Sequence, residues 1–378
     1  MNKYRIRISG TTRHKNAKIS GDSRKMLAQQ GLGAVLGIVG LPSGYNIGMN
    51  MRMWEVGEKF TGIRGISPGV HFVYYSSYDD EIRQSFFITI DGSNPMFVYE
   101  WSKQNECLEL VQATERYSHL RSFFLNDFRY ISGLAPFDSC IDEQSSKNWL
   151  SASRYISTDV IARIQPINGL PFGSSQQPSG DLPKSSVPSI FFTEVGKVQL
   201  PPGSSGSAIT QSRMDSSLHL RQFLARVNNR AELDVIGELQ AAFILFLLGT
   251  NYEAFVQWRK MLEVFLKCKE EGIRARSDLF VALSDALKFQ VEQLPDDFML
   301  DPGMSDDEAP HRPGKQDVFI LHLLSEFVVT CSDDSLVNEI ELQRNVQELD
   351  RILAQKYGEE WTGVFDPDQD SHPVVVSL

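Results

Sequence analysis

Cysteine is scarce in this chain. The four present (Cys107, Cys140, Cys268 and Cys331 of 378 residues) form no CxxC pair, which fits a reducing compartment better than a disulfide framework. Long apolar runs are missing too: the longest candidate, Ala241 to Leu248, has eight residues, far short of the ~20 that a membrane-spanning helix needs. There is no Asn-x-Ser/Thr acceptor. The seven histidines (His14, His71, His119, His219, His311, His322, His372) fall into neither HExxH nor HxH spacing, so no helical zinc site is indicated. No GxSxG elbow is present either. Positive charge is in short supply. Against 48 Asp and Glu stand 37 Lys and Arg, a net charge of −11, which argues against a generally nucleic-acid-binding surface.

What basic charge there is gathers at one end. Residues 1–30 hold eight Lys or Arg and one acid, a net +7 that leaves −18 for the rest. Three readings fit: a disordered basic arm, a mitochondrial presequence (Arg-rich, Ser-rich, poor in acids), or a secretory signal, whose apolar core would have to come sooner than Gly31–Leu41. Such an arm could touch RNA phosphates through a salt-sensitive electrostatic term, but seven charges do not establish it.

From about Leu32 to Trp101 the chain reads as strands and turns. Gln84–Ile90 and Met96–Trp101 are rich in β-branched and aromatic residues, and the Asp91-Gly92-Ser93-Asn94-Pro95 loop between them predicts a hairpin. Pro68-Gly69 launches a further strand, Val70–Tyr75. Glu106 to Tyr130 has apolar spacing closer to helical, and shorter helices are expected around Glu143–Ala152 and Thr158–Ile164. Residues 166–189 contain five Pro, three Gly and six Ser, the composition of a linker. It is interrupted by a strand-like piece, Ile190–Val195.

After Ala208 the pattern is helical. Val235, Ile236, Leu239, Phe243, Phe246 and Leu247 form one broad stripe, with Asp234 able to cap its start and Gly249 its end. Asn251 opens an antiparallel partner helix. Leu342, Val346, Leu349 and Leu353 step by four, three and four in the last helix, a packing seam. Two acidic segments, Asp296–Pro310 and Glu359–Leu378, carry no base.

The search for catalysis yields little. Gly31-Leu32-Gly33 lacks the strand-turn-helix context of a dinucleotide loop. His71 lies inside an aromatic strand and reads as a buried, hydrogen-bonded structural imidazole. Two features suggest binding or regulation instead. Val374-Val375-Val376, after a flexible acidic stretch, suits strand addition to a partner's sheet edge, with a disordered tail or a strand docking within the chain as the alternatives. Ser305, followed by Asp306-Asp307-Glu308, suits an acid-directed kinase; phosphate would add about −1.5 to −2 charges to a loop already negative.

Taken together, several residues resemble a known family. Trp54-Glu55-Val56-Gly57, then Phe60, Gly62 and Pro68-Gly69-Val70-His71-Phe72, followed by Tyr75-Ser76-Ser77, are similar to the N-terminal signature of the Aar-two splicing-factor family. Gly237-Glu238-Leu239-Gln240, Phe243, Phe246-Leu247-Leu248-Gly249, Glu253-Ala254-Phe255 and Trp258 resemble its helical signature, and Pro295, Asp297-Phe298 and Pro373–Val376 match as well. The resemblance implies an α+β chain: an antiparallel, β-rich, sandwich-like N-terminal domain with flanking helices (residues 31–165) and an all-α, VHS-like C-terminal domain (208–358). Around these lie the disordered basic arm (1–30), a Pro/Gly/Ser-rich linker (166–207) and an acidic tail with a terminal β-strand (359–378).

It also implies a non-enzymatic role without cofactor or metal. Such a protein assists assembly of the U-five small nuclear ribonucleoprotein, in the cytoplasm and also the nucleus. It binds the large core protein, pre-mRNA-processing factor eight, at its RNase H-like and Jab/MPN domains, with Pro373, Val374, Val375 and Val376 adding a strand. By holding that protein it delays entry of the helicase. A VHS-like trafficking adaptor and a mitochondrial protein targeted by the basic N-terminus are the rival expectations. Residues 1–30, the stretch Leu300–Lys315 and the linker depart from the family pattern.

Overall fold

A computed structural model describes residues 33–77, 83–91, 95–112, 114–137, 143–165, 170–173, 190–227, 232–296, 298 and 319–363. The expectations for the basic arm, for Ser305 and for the Pro373–Val376 tail lie outside these residues. The chain is α+β; among the described residues there are nine strands in two sheets, with two helices before the last strand and the other helices after it. It divides into two compact units: residues up to Phe192 together with Gly237–Gln257, and Thr193–Ile236 together with Trp258 onward.

In the first unit the strands are β1 (Ala34–Val39), β2 (Asn46–Met49), β3 (Arg52–Glu55), β4 (Gly62–Ile66), β5 (Gly69–Ser76), β6 (Gln84–Ile90), β7 (Met96–Ser102), β8 (Cys107–Leu110) and β9 (Leu134–Pro136). One sheet runs β3-β2-β5-β6 and is wholly antiparallel. The other runs β8-β7-β1-β4-β9 and is mixed, because β1 pairs in parallel with β7, and β4 with β9. The antiparallel expectation therefore holds for one sheet and half fails for the other. The parallel pairs join strands far apart in sequence, which alternation alone cannot reveal.

The hairpin expected across Asp91–Pro95 does not form. β6 pairs with β5, and β7 with β1 and β8, so the two strands belong to different sheets. Their aromatic residues meet face to face instead: the Phe86 and Tyr99 rings stack at 3.9 Å. The composition that suggests a hairpin is here the composition of two facing sheets. Between the sheets lie Leu36, Ile38, Ile47, Val73, Tyr75, Phe86, Ile88 and Tyr99, all buried.

The mixed sheet has a second covered face. Val35, Met96 and Val98 point away from the sandwich core toward Leu120, Phe124 and Leu125 of helix α1 (Glu115–Asn126). Both faces of β1 are thus buried, which explains why it reads as a continuous apolar run rather than an alternating one. Gly37 belongs to this packing, since a Cβ there would enter the Phe124 ring.

Residues 107–110, expected as helix, form β8. A tight turn with Glu106 at φ +47° reverses the chain after β7, and Ser102 then opposes Cys107. The outer edge of β8 is closed by side chains. Leu108 donates its N–H to the Tyr75 hydroxyl at 2.7 Å, that hydroxyl donates to Gln84 Oε1 at 2.6 Å, and Gln84 Nε2 donates to the Glu106 carbonyl at 2.8 Å. A capped edge resists pairing with foreign strands. Helices α2 (Phe128–Ser132), α3 (Glu143–Ser153) and α4 (Thr158–Ile164) complete the N-terminal portion.

Residues 191–200 form no strand. The Phe191 N–H, instead of joining a ladder, donates to the Ile164 carbonyl at the end of α4. Beyond lie α5 (Gly206–Met214), α6 (Ser217–Arg226), α7 (Leu233–Leu247), α8 (Tyr252–Leu266), α9 (Glu270–Arg274), α10 (Ser277–Gln293), α11 (Phe319–Cys331), a 3-10 turn (Asp334–Leu336), α12 (Ile340–Tyr357) and α13 (Glu359–Gly363). Asp234 sits inside the first turn of α7 rather than capping it. There its charge still complements the positive end of the helix dipole. Asn251 does cap α8, accepting the Ala254 N–H at 2.9 Å. Across the short connection from α7 to α8 the Phe246 and Phe255 rings lie 4.9 Å apart.

In the second unit α10 packs on α12, and Leu342, Val346, Leu349 and Leu353 are all buried along that seam. Lys356 closes it by donating to the Leu294 and Glu292 carbonyls at the end of α10, where a cation offsets the negative helix end.

Candidate functional site

The residues singled out in the sequence fall into three places. The first is the β2–β3 and β4–β5 corner of the sandwich. Trp54 opposes Ile47 and packs partly against the core; Glu55 opposes Asn46 and is exposed. Gly57 and Phe60 form a turn in which the Phe60 N–H donates to the Gly57 carbonyl at 3.0 Å. Pro68 and Gly69 are exposed and start β5, Gly69 with φ +131°.

His71 is the interior point of this corner, only 2% exposed. Its Nε2 lies 2.7 Å from the Ser67 carbonyl, which can only accept, so Nε2 carries the proton. Nδ1 must then accept, and the Asn50 side-chain amide donates to it at 3.0 Å. Asn50 in turn accepts the Phe72 N–H at 2.9 Å, and its own N–H donates to the Phe72 carbonyl at 2.6 Å. Asn50 has φ +56°, a conformation that Asn tolerates better than other non-glycine residues. Burial pushes the His71 pKa down to about 4, against a smaller raising effect of the Ser67 bond. The imidazole is therefore neutral, with both nitrogens engaged. It holds a turn and has no nitrogen left for proton transfer.

The second place is on α7. Gly237 lies where the backbone of Tyr155 comes closest, and a Cβ would overlap the Tyr155 carbonyl oxygen. Glu238, 1% exposed, forms an ion pair with Arg163 of α4 and accepts from Gln257 Nε2 at 3.4 Å. Gln240 accepts the Tyr155 N–H at 2.8 Å and donates to the Ser151 carbonyl at 2.9 Å. So α7 is bound to the end of α3 and to α4 by one close backbone approach, one ion pair and two amide bonds. At the far end of α7, Gly249 donates to the Ile244 carbonyl at 3.3 Å, and buried Arg83 points to the Leu248 carbonyl at 3.4 Å.

The third is Trp258 in the second unit, buried, with its indole N–H donating to Gln290 Oε1 at 2.9 Å. The structure thus joins Gly237 and Glu238 to the N-terminal part of the chain but leaves the His71 corner and Trp258 as separate nodes. Arg163, Asn50, Tyr155 and Gln290 are partners that the sequence does not single out. One signal points to Arg163 and Tyr155. A Glu and a Gln inside a helix otherwise apolar on all sides require buried partners.

None of the three nodes is an open site. Among the described residues no group of three His, Cys, Asp or Glu converges to hold a metal, and no helix is long and apolar enough to cross a membrane. Burial raises the thiols of Cys107 to about 11, and of Cys268 and Cys331 to about 12, so all three stay protonated at neutral pH. A cleft of about 310 Å³ at the start of α10 is lined by Glu232, Arg276 and Asp278 among others, with Arg276 paired to Glu232 at 3.4 Å.

These nodes coincide with two family models. The AAR2 N-terminal domain matches residues 32–166 and the AAR2 C-terminal repeat region matches 192–362. The chain belongs to the AAR2 family. It is 28% identical over 385 residues to Protein AAR2 homolog of Macaca fascicularis and 27% over 384 residues to that of Homo sapiens, each alignment covering 92% of this chain and 94% of the relative. The Caenorhabditis elegans AAR2 homolog is 26% identical over 304 residues, covering 71% of this chain and 81% of its own length. The first AAR2 model takes in the sandwich with α1–α4; the second takes in every helix from α5 onward. Gly237 and Glu238 lie in the second model, yet their partners Tyr155 and Arg163 lie in the first.

Proposed function

We propose that this AAR2-family chain is a non-enzymatic assembly factor for pre-mRNA splicing. It would hold the large U-five ribonucleoprotein core protein through that protein's RNase H-like and Jab/MPN domains, and so delay helicase entry. The observation that carries this is the match to both AAR2 models in order, spanning sandwich and helices alike. The chemistry of the described residues supports it: the singled-out histidine is neutral and fully bonded, and the signature residues brace the fold. In this reading the Pro373–Val376 tail supplies the strand that pairs with the partner, and the chain works in the cytoplasm and nucleus. An acid-directed kinase acting at Ser305 is a further part of the proposal.

Affinity purification of the tagged full chain with mass spectrometry tests it. The large core protein should dominate and the helicase should be missing. A preparation lacking the core protein, or carrying both in equal amount, would sink the proposal. Deleting Pro373–Leu378 should weaken capture of the core protein; undiminished capture removes the tail from the account. Complex stability unchanged by Ser305→Glu removes the phosphorylation switch.

A further inference from the structure

Two large apolar side chains, one in the turn between α11 and α12 and one on the first residue of α12, stand in water. Val337 is 63% exposed and Ile340 77%. Fraying does not explain this, because the turn is pinned from several sides. Leu336 is fully buried. Asp333 accepts the Ser335 N–H at 2.8 Å, and Arg274 of α9 donates to the Ser335 carbonyl at 2.7 Å. The Gln343 side chain donates to the Cys331 and Leu336 carbonyls, and the Ser277 hydroxyl donates to the Glu339 carboxylate. The segment from Cys331 to Glu339 is thus held by bonds from α9, α10 and α12, while the β-branched side chains of Val337 and Ile340 stay exposed.

The surroundings are acidic. Asp333, Asp334 and Glu341 are exposed beside the pair. Of the neighbouring cations, the Arg274 guanidinium is turned onto the Ser335 carbonyl, and Arg344 lies 4.0 Å from Glu341. We propose that this turn is a docking point for a short basic peptide segment carrying two apolar anchors. Two side chains are far too little surface for a folded partner, which needs about 1,200 Å² of total buried area, so the occupant is a segment rather than a domain. The acidic rim selects a cationic segment and repels RNA phosphates. The pinned backbone lowers the ordering cost of binding. The inference stands independently of the splicing role.

The test is fluorescence anisotropy with the full chain. One labelled probe is a twelve-residue peptide with two leucines three positions apart among arginines and serines; its control has each arginine replaced by glutamate. The basic probe should bind saturably and more weakly as salt rises, and the acidic one should not bind. Val337→Ala with Ile340→Ala removes five methyl or methylene groups at the contact, and should weaken binding at least about tenfold, or ~1.4 kcal/mol. Val337→Asp with Ile340→Asp should abolish saturation. Both side chains are exposed, so the variants should melt as the parent does; if the aspartate pair melts early, the alanine pair decides. Equal binding by parent and alanine pair would show mere attraction to an acidic protein and overturn the proposal.

Discussion

The Arg163–Glu238 pair should show a lopsided response to mutation. The two ends are unequally buried, Arg163 15% exposed and Glu238 1%. Arg163→Met takes the cation away from a carboxylate that water does not reach and that also accepts from Gln257 Nε2 at 3.4 Å. Removing one partner of a buried pair costs about 3–5 kcal/mol, and this variant belongs at the upper end. Glu238→Gln leaves a cation that still touches solvent and an amide oxygen that still accepts from it, so about 1–2 kcal/mol is expected. Replacing both, Arg163→Met with Glu238→Leu, removes both desolvated charges and should recover most of the loss. Urea denaturation measures the three variants. Hydrogen exchange at the Tyr155 amide, which donates to Gln240 Oε1, reports whether α7 has come away locally. Similar losses for the two single variants, or a double variant worse than Arg163→Met, would refute the reasoning.

Gly237→Ala would ordinarily favour a helix by about 1 kcal/mol; here the Tyr155 carbonyl occupies the space of the new methyl, so the thermal midpoint should fall instead of rise. His71, whose pKa is lowered from 6.5 to about 4, takes up its proton more readily when unfolded. Stability should therefore be intact above pH 6.5 and fall progressively toward pH 4, by up to about 3 kcal/mol from this group. The parent should show this slope in urea midpoints, and His71→Gln should lack it. Trp258→Phe removes the donor to Gln290 Oε1 and should cost about 1–3 kcal/mol, read from the denaturation midpoint.

Much of the fold was legible because local chemistry and tertiary packing agree. The α12 seam at Leu342, Val346, Leu349 and Leu353 was visible as a four-three-four step, and each residue is buried. Thr158–Ile164 is a helix with Ser157 capping it through Val160 N–H. The failures share a different cause. Strand pairing is decided by residues distant in sequence, so Asp91–Pro95 looked like a hairpin although β6 and β7 pair with other strands. Leu108 and Val111 resembled a helical start only because β8 is four residues long, too short to show alternation. Ile190–Val195 has strand composition, but composition does not supply an edge to pair with.

The singled-out residues teach a further distinction. His71, Gly237, Glu238 and Trp258 are legible in sequence because each is chemically conspicuous where it stands: a histidine in an aromatic strand, a glycine and a carboxylate in an apolar helix, a tryptophan on a buried stripe. Conspicuous residues of this sort are the ones that burial makes demanding, since an interior polar group must find a partner or destabilise the fold. Each of the three polar ones has found it, in Asn50 and Ser67, in Arg163, and in Gln290. A side chain exposed at the surface makes no such demand. Water satisfies exposed groups there, and Val337 and Ile340 are ordinary residues in an ordinary stretch of sequence. What sets them apart is that the turn beneath them is fastened by Arg274, Gln343 and Ser277, residues 3 to 66 positions away. If the docking proposal is right, loosening that fastening with Gln343→Ala should weaken the basic probe while Val337 and Ile340 are untouched. Unaltered affinity with a demonstrably mobile turn would show that pre-organisation contributes nothing to the binding.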